Sequence, residues 1–323
     1  MILEGKNFLF ALSTLLSGTS FADQVQQALT EVSLSPFQRQ AIEGDQPLRA
    51  LELDGRGKAF MLGRQSVWIL ATEAKHLSRV DLGERAKDSQ VLRQLGRGYL
   101  GILARDSLLV LALETQRVFS LAWPGRNETR GAELLSCGGN LAMWVGEGEV
   151  ARIDLQEPKQ TVQIEQVEGV ARGDLLASNP GCTAIWVARG KELWQVPLGG
   201  CGTSKKRSIF RSSQQILGLS SDGHRFLART SKSVLVFNQL GNLVQTIPVD
   251  GPRALVSSST DGNRHYYLFD DGLLEGFDLE SAARVVAQVD FSGRGTPQLV
   301  VRGNLLGVNW NGQSQIFTLS WPG

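Results

Sequence analysis

Histidine and cysteine are scarce in this chain, three of each in 323 residues. His76, His224 and His265 lie far apart, and none has a second histidine at metal-ligand spacing, so no metal site is expected. No C-x-x-C pair occurs, which excludes a zinc ribbon and a thioredoxin-type motif. Nor is there charge of one sign to spare: 33 Lys and Arg oppose 32 Asp and Glu, for a net +1 at pH 7. A general polyanion binder needs a basic excess, and no aromatic residues are interleaved with basic ones, so nucleic acid is not an expected partner. The chain has no P-loop, no G-x-S-x-G elbow and no glycine-rich loop opening a helix. Past the N-terminus no apolar run is long enough to cross a bilayer. These absences leave no cofactor and no catalytic residue to nominate.

What is present begins at the N-terminus. Lys6 precedes an apolar run from Phe8 to Leu16, and Ser20 and Ala22 stand where a cleavage site before Asp23 requires small residues. Residues 1–22 read as a secretory signal, and the mature chain is expected in the periplasm or outside the cell. Cysteine use agrees. Cys182 and Cys201 bracket one expected hairpin beside glycines, a geometry suited to a disulfide worth roughly 3 kcal/mol. Cys137 is left over, in a strand. Residues 23–46 read as a linker or strap, with a short helix over Asp23–Val32.

Glycine is abundant, 36 residues, which favours many tight turns over long helices. One unit recurs seven times: a β-rich run, a glycine or acidic turn, then an alternating run. The units begin near Val67 (VWILATEAKHLSRVDL), Leu108, Leu141, Thr183, Arg225, His265 (HYYLFDDGLLEGFDL) and Leu305. Their spacing is about 40 residues, the length of a four-stranded blade, with one shorter step from Leu108 to Leu141. The pattern predicts an all-β protein, a seven-bladed β-propeller over 47–323. Apolar stretches before each hairpin (AFML, YLGIL, AELL, DLLA, ILGL, ALVS, QLVV) are expected as inner strands, and VLRQL, TVQIEQV, LVQTIPV and RVVAQVD as outer ones. The chain stops before the seventh blade gains its outer strand, so Pro47–Leu53 is expected to supply it and close the ring. Trp68, Trp144, Trp186 and Trp310 recur within hairpins and are expected to pack blades.

The segments Leu219–Ala228 and Ser259–Arg264 resemble the S-x-D-G turn repeat of TolB-like and WD40-like propellers. Phe277-Asp278-Leu279-Glu280 and Ile153-Asp154-Leu155-Gln156 resemble the D-L turn of quinoprotein-type propellers. The resemblance implies architecture and no function. The Trp-Asp ending of WD40 blades, the Trp-docking repeat of quinoproteins and the sialidase Asp-box are missing, so neither a quinone cofactor nor sialidase activity is implied.

One feature invites a function. An arginine precedes each expected inner strand: Arg56, Arg97, Arg130, Arg172, Arg211, Arg253 and Arg294. Seven guanidinium groups around one channel mouth would focus positive potential on an anionic ligand despite a neutral total charge. The same arginines could instead tie blades together by pairing with Glu73, Glu114, Glu147 and Asp271 in neighbouring turns. Lys205-Lys206-Arg207 reads as a solvated loop. The leading expectation is a non-enzymatic interaction module of the cell envelope, taking an acidic segment of a protein partner at the arginine-lined mouth. The alternatives are a lactonase-like propeller hydrolase using Asp270, Asp271, Glu147 or Glu149, and a structural subunit of a secretion or surface assembly.

Overall fold

The computed structural model describes residues 29–321, apart from 87, 90, 97, 105–106, 123–132, 157–161, 200–205, 222–224, 249–252, 282 and 292–296. Seven four-stranded antiparallel sheets form the blades of a β-propeller. Their inner strands are Ala50–Leu53, Val91–Gln94, Glu133–Ser136, Leu175–Ser178, Gly218–Ser221, Leu255–Asp261 and Gln298–Arg302. Each packs beside the next in chain order, and the last packs beside the first, so the ring is closed.

Middle strands such as Leu141–Gly146 and Ala184–Arg189 are apolar almost throughout, because both faces of a blade are covered by neighbours. Outer strands such as Arg207–Arg211 carry exposed polar residues. Strand parity then sends alternate residues to opposite neighbours. In Arg264–Phe269, Tyr266 and Leu268 pack against blade seven, whereas Tyr267 and Phe269 pack against blade five. Buried apolar residues accordingly form seven clusters, each between two adjacent blades. Stability is distributed around the ring, and the centre is left free for a channel. Trp68, Trp144, Trp186 and Trp310 are all buried, as expected, and Trp186 stacks on Phe226 of the next blade at 3.9 Å.

The strand frame differs from the sequence expectation in the first two blades. The units beginning at Val67 and Leu108 are third and outer strands, whereas those from Leu141 onward are second and third. The short step from Leu108 to Leu141 is where the frame moves by one strand. AFML and YLGIL therefore belong to second strands, and VLRQL is an inner strand, not an outer one. The closing segment changes too. Ala50–Leu53 is the inner strand of blade one, and Leu29–Glu31 closes blade seven by pairing with Gln313–Leu319. Inner and second strands both carry apolar residues that pack between blades, so their sequences look alike and the frame cannot be told from either one alone.

Between the closing strand and blade one runs a helix, Pro36–Glu43. Ser35 and Gln38 form a capping box, with proline in the first turn. Leu29–Glu31 is strand where a helix over Asp23–Val32 was expected; the rest of that expectation, like the secretory signal, lies outside the described residues. Ile42 buries the helix against the cluster between blades seven and one. Asp45 then anchors the chain by accepting hydrogen bonds from Trp68 Nε1 (3.0 Å), the Arg64 N–H (3.0 Å) and the Ser66 hydroxyl. Among the described residues no helix is long and apolar enough to cross a membrane.

The disulfide also differs. Cys182 pairs with Cys137, with Cα atoms 5.2 Å apart, and not with Cys201, which lies outside the described residues. Cys137 and Cys182 sit in the turns that follow the inner strands of blades three and four. Those turns meet at one face of the ring, where the Gly181 N–H also donates to the Cys137 carbonyl (2.9 Å). The sequence spacing favoured a hairpin closure; the ring geometry brings neighbouring turns closer.

Candidate functional site

Successive strands of a blade run antiparallel, so the outer-to-inner connection and the turn after an inner strand lie on opposite faces of the ring. Arg56 lies in the turn between Ala50–Leu53 and Lys58–Leu62, on one face. Arg172, Arg211 and Arg253 lie in or beside outer-to-inner connections, on the other. All four are exposed. Arg97, Arg130 and Arg294 lie outside the described residues. The expected single ring is therefore divided by the same frame shift that divides the blades. Arg253 pairs with Asp271 at 2.7 Å, both side chains nearly half exposed, a surface bridge worth at most about 1 kcal/mol.

The acids nominated from sequence hold turns and strands. Asp270 Oδ1 accepts from the Ala254 N–H, Asp271 Oδ1 from the Leu273 N–H, and buried Glu149 from Gln166 Nε2 at 2.8 Å. Lys206 covers Trp194, its Nζ 4.9 Å from the ring centroid. His265 is fully buried and His76 exposed; His224 lies outside the described residues. Among the described residues no group of three or more His, Cys, Asp or Glu is placed to hold a metal ion.

The inner strands enclose a central channel, a cavity of about 480 Å³. Polar residues from every blade line it, among them Glu52, Gln94, Ser136, Ser178, Ser220, Thr260 and Arg302. Several of these tie neighbouring inner strands together at a spacing of 42 residues. Gln94 N–H donates to Glu52 Oε2, Ser178 Oγ to the Ser136 carbonyl (2.7 Å), Val301 N–H to Ser259 Oγ (2.9 Å) and Arg302 Nη1 to the Thr260 carbonyl (2.6 Å). These bonds do the stapling that sequence reasoning assigned to loop arginines. A related staple lies nearby, where Arg189 grips buried Asp174 through two bonds of 2.6 and 2.7 Å.

Two further charges face the cavity, Arg93 and Glu133. Burial raises the Glu133 carboxyl to about 7; Arg93 acts against that shift and Asp174 adds to it. Sequence reasoning missed both because it sought charge in loops. The available signal was charge inside apolar runs: Glu52 in ALEL, Arg93 in VLRQL and Glu133 in AELL.

No family model matches the chain, and no curated protein matches it. Solved structures do. A chain of the mitotic checkpoint complex superposes with a TM-score of 0.63 at 11% identity, covering 99% of this chain and 100% of that one. Virginiamycin B lyase from Staphylococcus aureus gives 0.65 at 8% identity over 90% and 99%. Hsv2 from Kluyveromyces lactis gives 0.60 at 12% over 85% and 93%. At such identities the likeness establishes the fold alone. The protein is a seven-bladed β-propeller, a fold compatible with an interaction module or an enzyme.

Proposed function

We propose that this propeller is an exported, non-enzymatic interaction module of the cell envelope that binds a protein partner along the outer edge of blade five. The observation that carries this reading is the strand Leu243–Pro248. It is the only outer strand among the described residues with no charged side chain. Leu243 and Val244 are exposed, and Leu240 in the preceding turn is 75% exposed. Edge strands are ordinarily blunted by charge, because their unpaired N–H and C=O groups template another strand. An uncharged, apolar edge fits an extended partner segment that adds as a fifth strand, with backbone bonds giving affinity and side-chain contacts selectivity. The strand runs toward the face that carries Arg172, Arg211 and Arg253, where acidic residues of the same partner would be favoured.

Export is supported by the N-terminal pattern and by the Cys137–Cys182 bond, since disulfides persist in oxidising compartments. The mass of the mature chain is expected to begin at Asp23, and a chain that retains residues 1–22 in the cytosol would remove export from the reading.

Binding is tested by crosslinking and pull-down from envelope extract with the mature protein, with Val244→Lys, and with Arg172, Arg211 and Arg253 changed to Ala together. Val244→Lys is expected to lose the partner at unchanged thermal stability, because the side chain is 56% exposed. The arginine variant is expected to weaken binding and reduce its salt dependence. Equal capture by wild type and Val244→Lys would move the interface elsewhere. Glu133 is the one observation that favours an enzyme, since perturbed carboxyls in cavities suit acid–base work. Its acidic neighbours in the cavity, Glu52 and Asp261, are engaged by backbone N–H groups. One titratable group without a second suits binding better than hydrolysis.

A further inference from the structure

The channel holds two opposite charges that the fold does not use. Arg93 lies in the inner strand of blade two and Glu133 begins that of blade three. Among the described residues neither side chain has a hydrogen-bond or ion-pair partner, although each lies within the other's electrostatic reach. The remaining charges on the wall are engaged. Glu52 accepts from the Leu53 and Gln94 N–H groups, Asp261 from the Gly303 N–H (2.6 Å), and Arg302 donates to the Thr260 and Val301 carbonyls. What is left is one cation and one anion on adjacent inner strands, both lining the cavity. Serines from several blades line the same cavity, and its volume is typical of small-molecule sites.

The chemistry of the occupant follows from charge compensation. Glu133 is partly buried, and a partly buried charge without a partner is costly, a cost relieved by a ligand that pairs with it. Arg93 is exposed to the channel and offers its guanidinium to an anion at no such cost. A simple anion would satisfy Arg93 and be repelled by Glu133. A simple cation would do the reverse. A neutral sugar would pair with neither, and among the described residues no aromatic ring lines the cavity to stack against it. We infer that the channel binds a small zwitterion, an amino acid or dipeptide, with its carboxylate on Arg93 and its ammonium on Glu133. This inference is independent of the blade-five interface.

The site has a built-in pH dependence. Glu133 faces Arg93 from blade two and Asp174 from blade four, whose carboxylate is held by Arg189. Arg172 and Glu147 line the smaller hollow on its other side. A bound ammonium favours the ionised carboxylate, so binding releases a proton and affinity rises as the pH goes from 6 to 8.

The test is a thermal-shift screen of the mature protein against the standard amino acids and glycylglycine, followed by calorimetric titration of the best binder at pH 6 and 8. Arg93→Gln is expected to weaken binding at least tenfold. Glu133→Gln is expected to weaken it and flatten its pH dependence. The des-amino acid and the decarboxylated amine of the same ligand should each bind at least tenfold more weakly than the zwitterion. The inference fails if no zwitterion binds, if both channel variants bind normally, or if the single-charge analogues bind equally well.

Discussion

Replacing Cys137 and Cys182 by serine should lower the unfolding free energy by about 4 kcal/mol. The bond closes a stretch with a sequence separation of 45, and chain entropy alone gives a value of that size. For a chain of this length the loss corresponds to about 6 °C in Tm if unfolding is a single transition. The variant should still fold, because the two turns are already held by the Gly181–Cys137 backbone bond and by the cluster between blades three and four. Urea unfolding of oxidised wild type, reduced wild type and the double variant checks this. Reduced wild type and the variant should agree. A Cys201→Ser control should unfold like oxidised wild type, and a large loss in that control would instead restore Cys201 as the partner.

Changing Glu133 to glutamine should flatten the pH dependence of stability between about pH 4.5 and 7 and stabilise the protein above that window. The sign follows from the raised pKa. Unfolded Glu133 loses its proton near 4.5, whereas the folded carboxyl holds it to about 7. Folding therefore takes up a proton inside the window, and wild-type stability from this group falls as pH rises, then levels off above 7. The full shift corresponds to at most about 3 kcal/mol, and water entering the open channel screens part of it. Glutamine has no proton to take up, so it lacks this loss. Urea midpoints of both proteins at pH 5, 6, 7 and 8 give the difference directly, since all other groups cancel. Parallel curves would mean that Glu133 titrates as an ordinary carboxyl.

Both predictions concern features the sequence presented without their context. The seven repeats, the glycine turns and the recurring tryptophans made the propeller legible, because each blade repeats one hydrophobic pattern. The helix Pro36–Glu43 was missed, although Ser35 and Gln38 stand at capping-box spacing. What misled was phase. Inner, second and third strands all contain apolar residues, so the repeat gives the period of the ring and not where each blade starts. That ambiguity moved the closing strand from Leu29–Glu31 to Pro47–Leu53, and it placed Arg56 and Arg253 on one face when they lie on opposite ones.

The sequence by itself determined the fold class, the blade count and the closure of the ring by an N-terminal strand, since all three follow from local periodicity and from counting strands. Only the tertiary structure decided which segment closes the ring, that Cys182 meets Cys137, and that Arg93 and Glu133 face one cavity. The last two are relations between residues of neighbouring blades, and the first joins an N-terminal segment to a C-terminal strand. They depend on how neighbouring blades pack around an axis, and no local pattern in the chain carries that geometry.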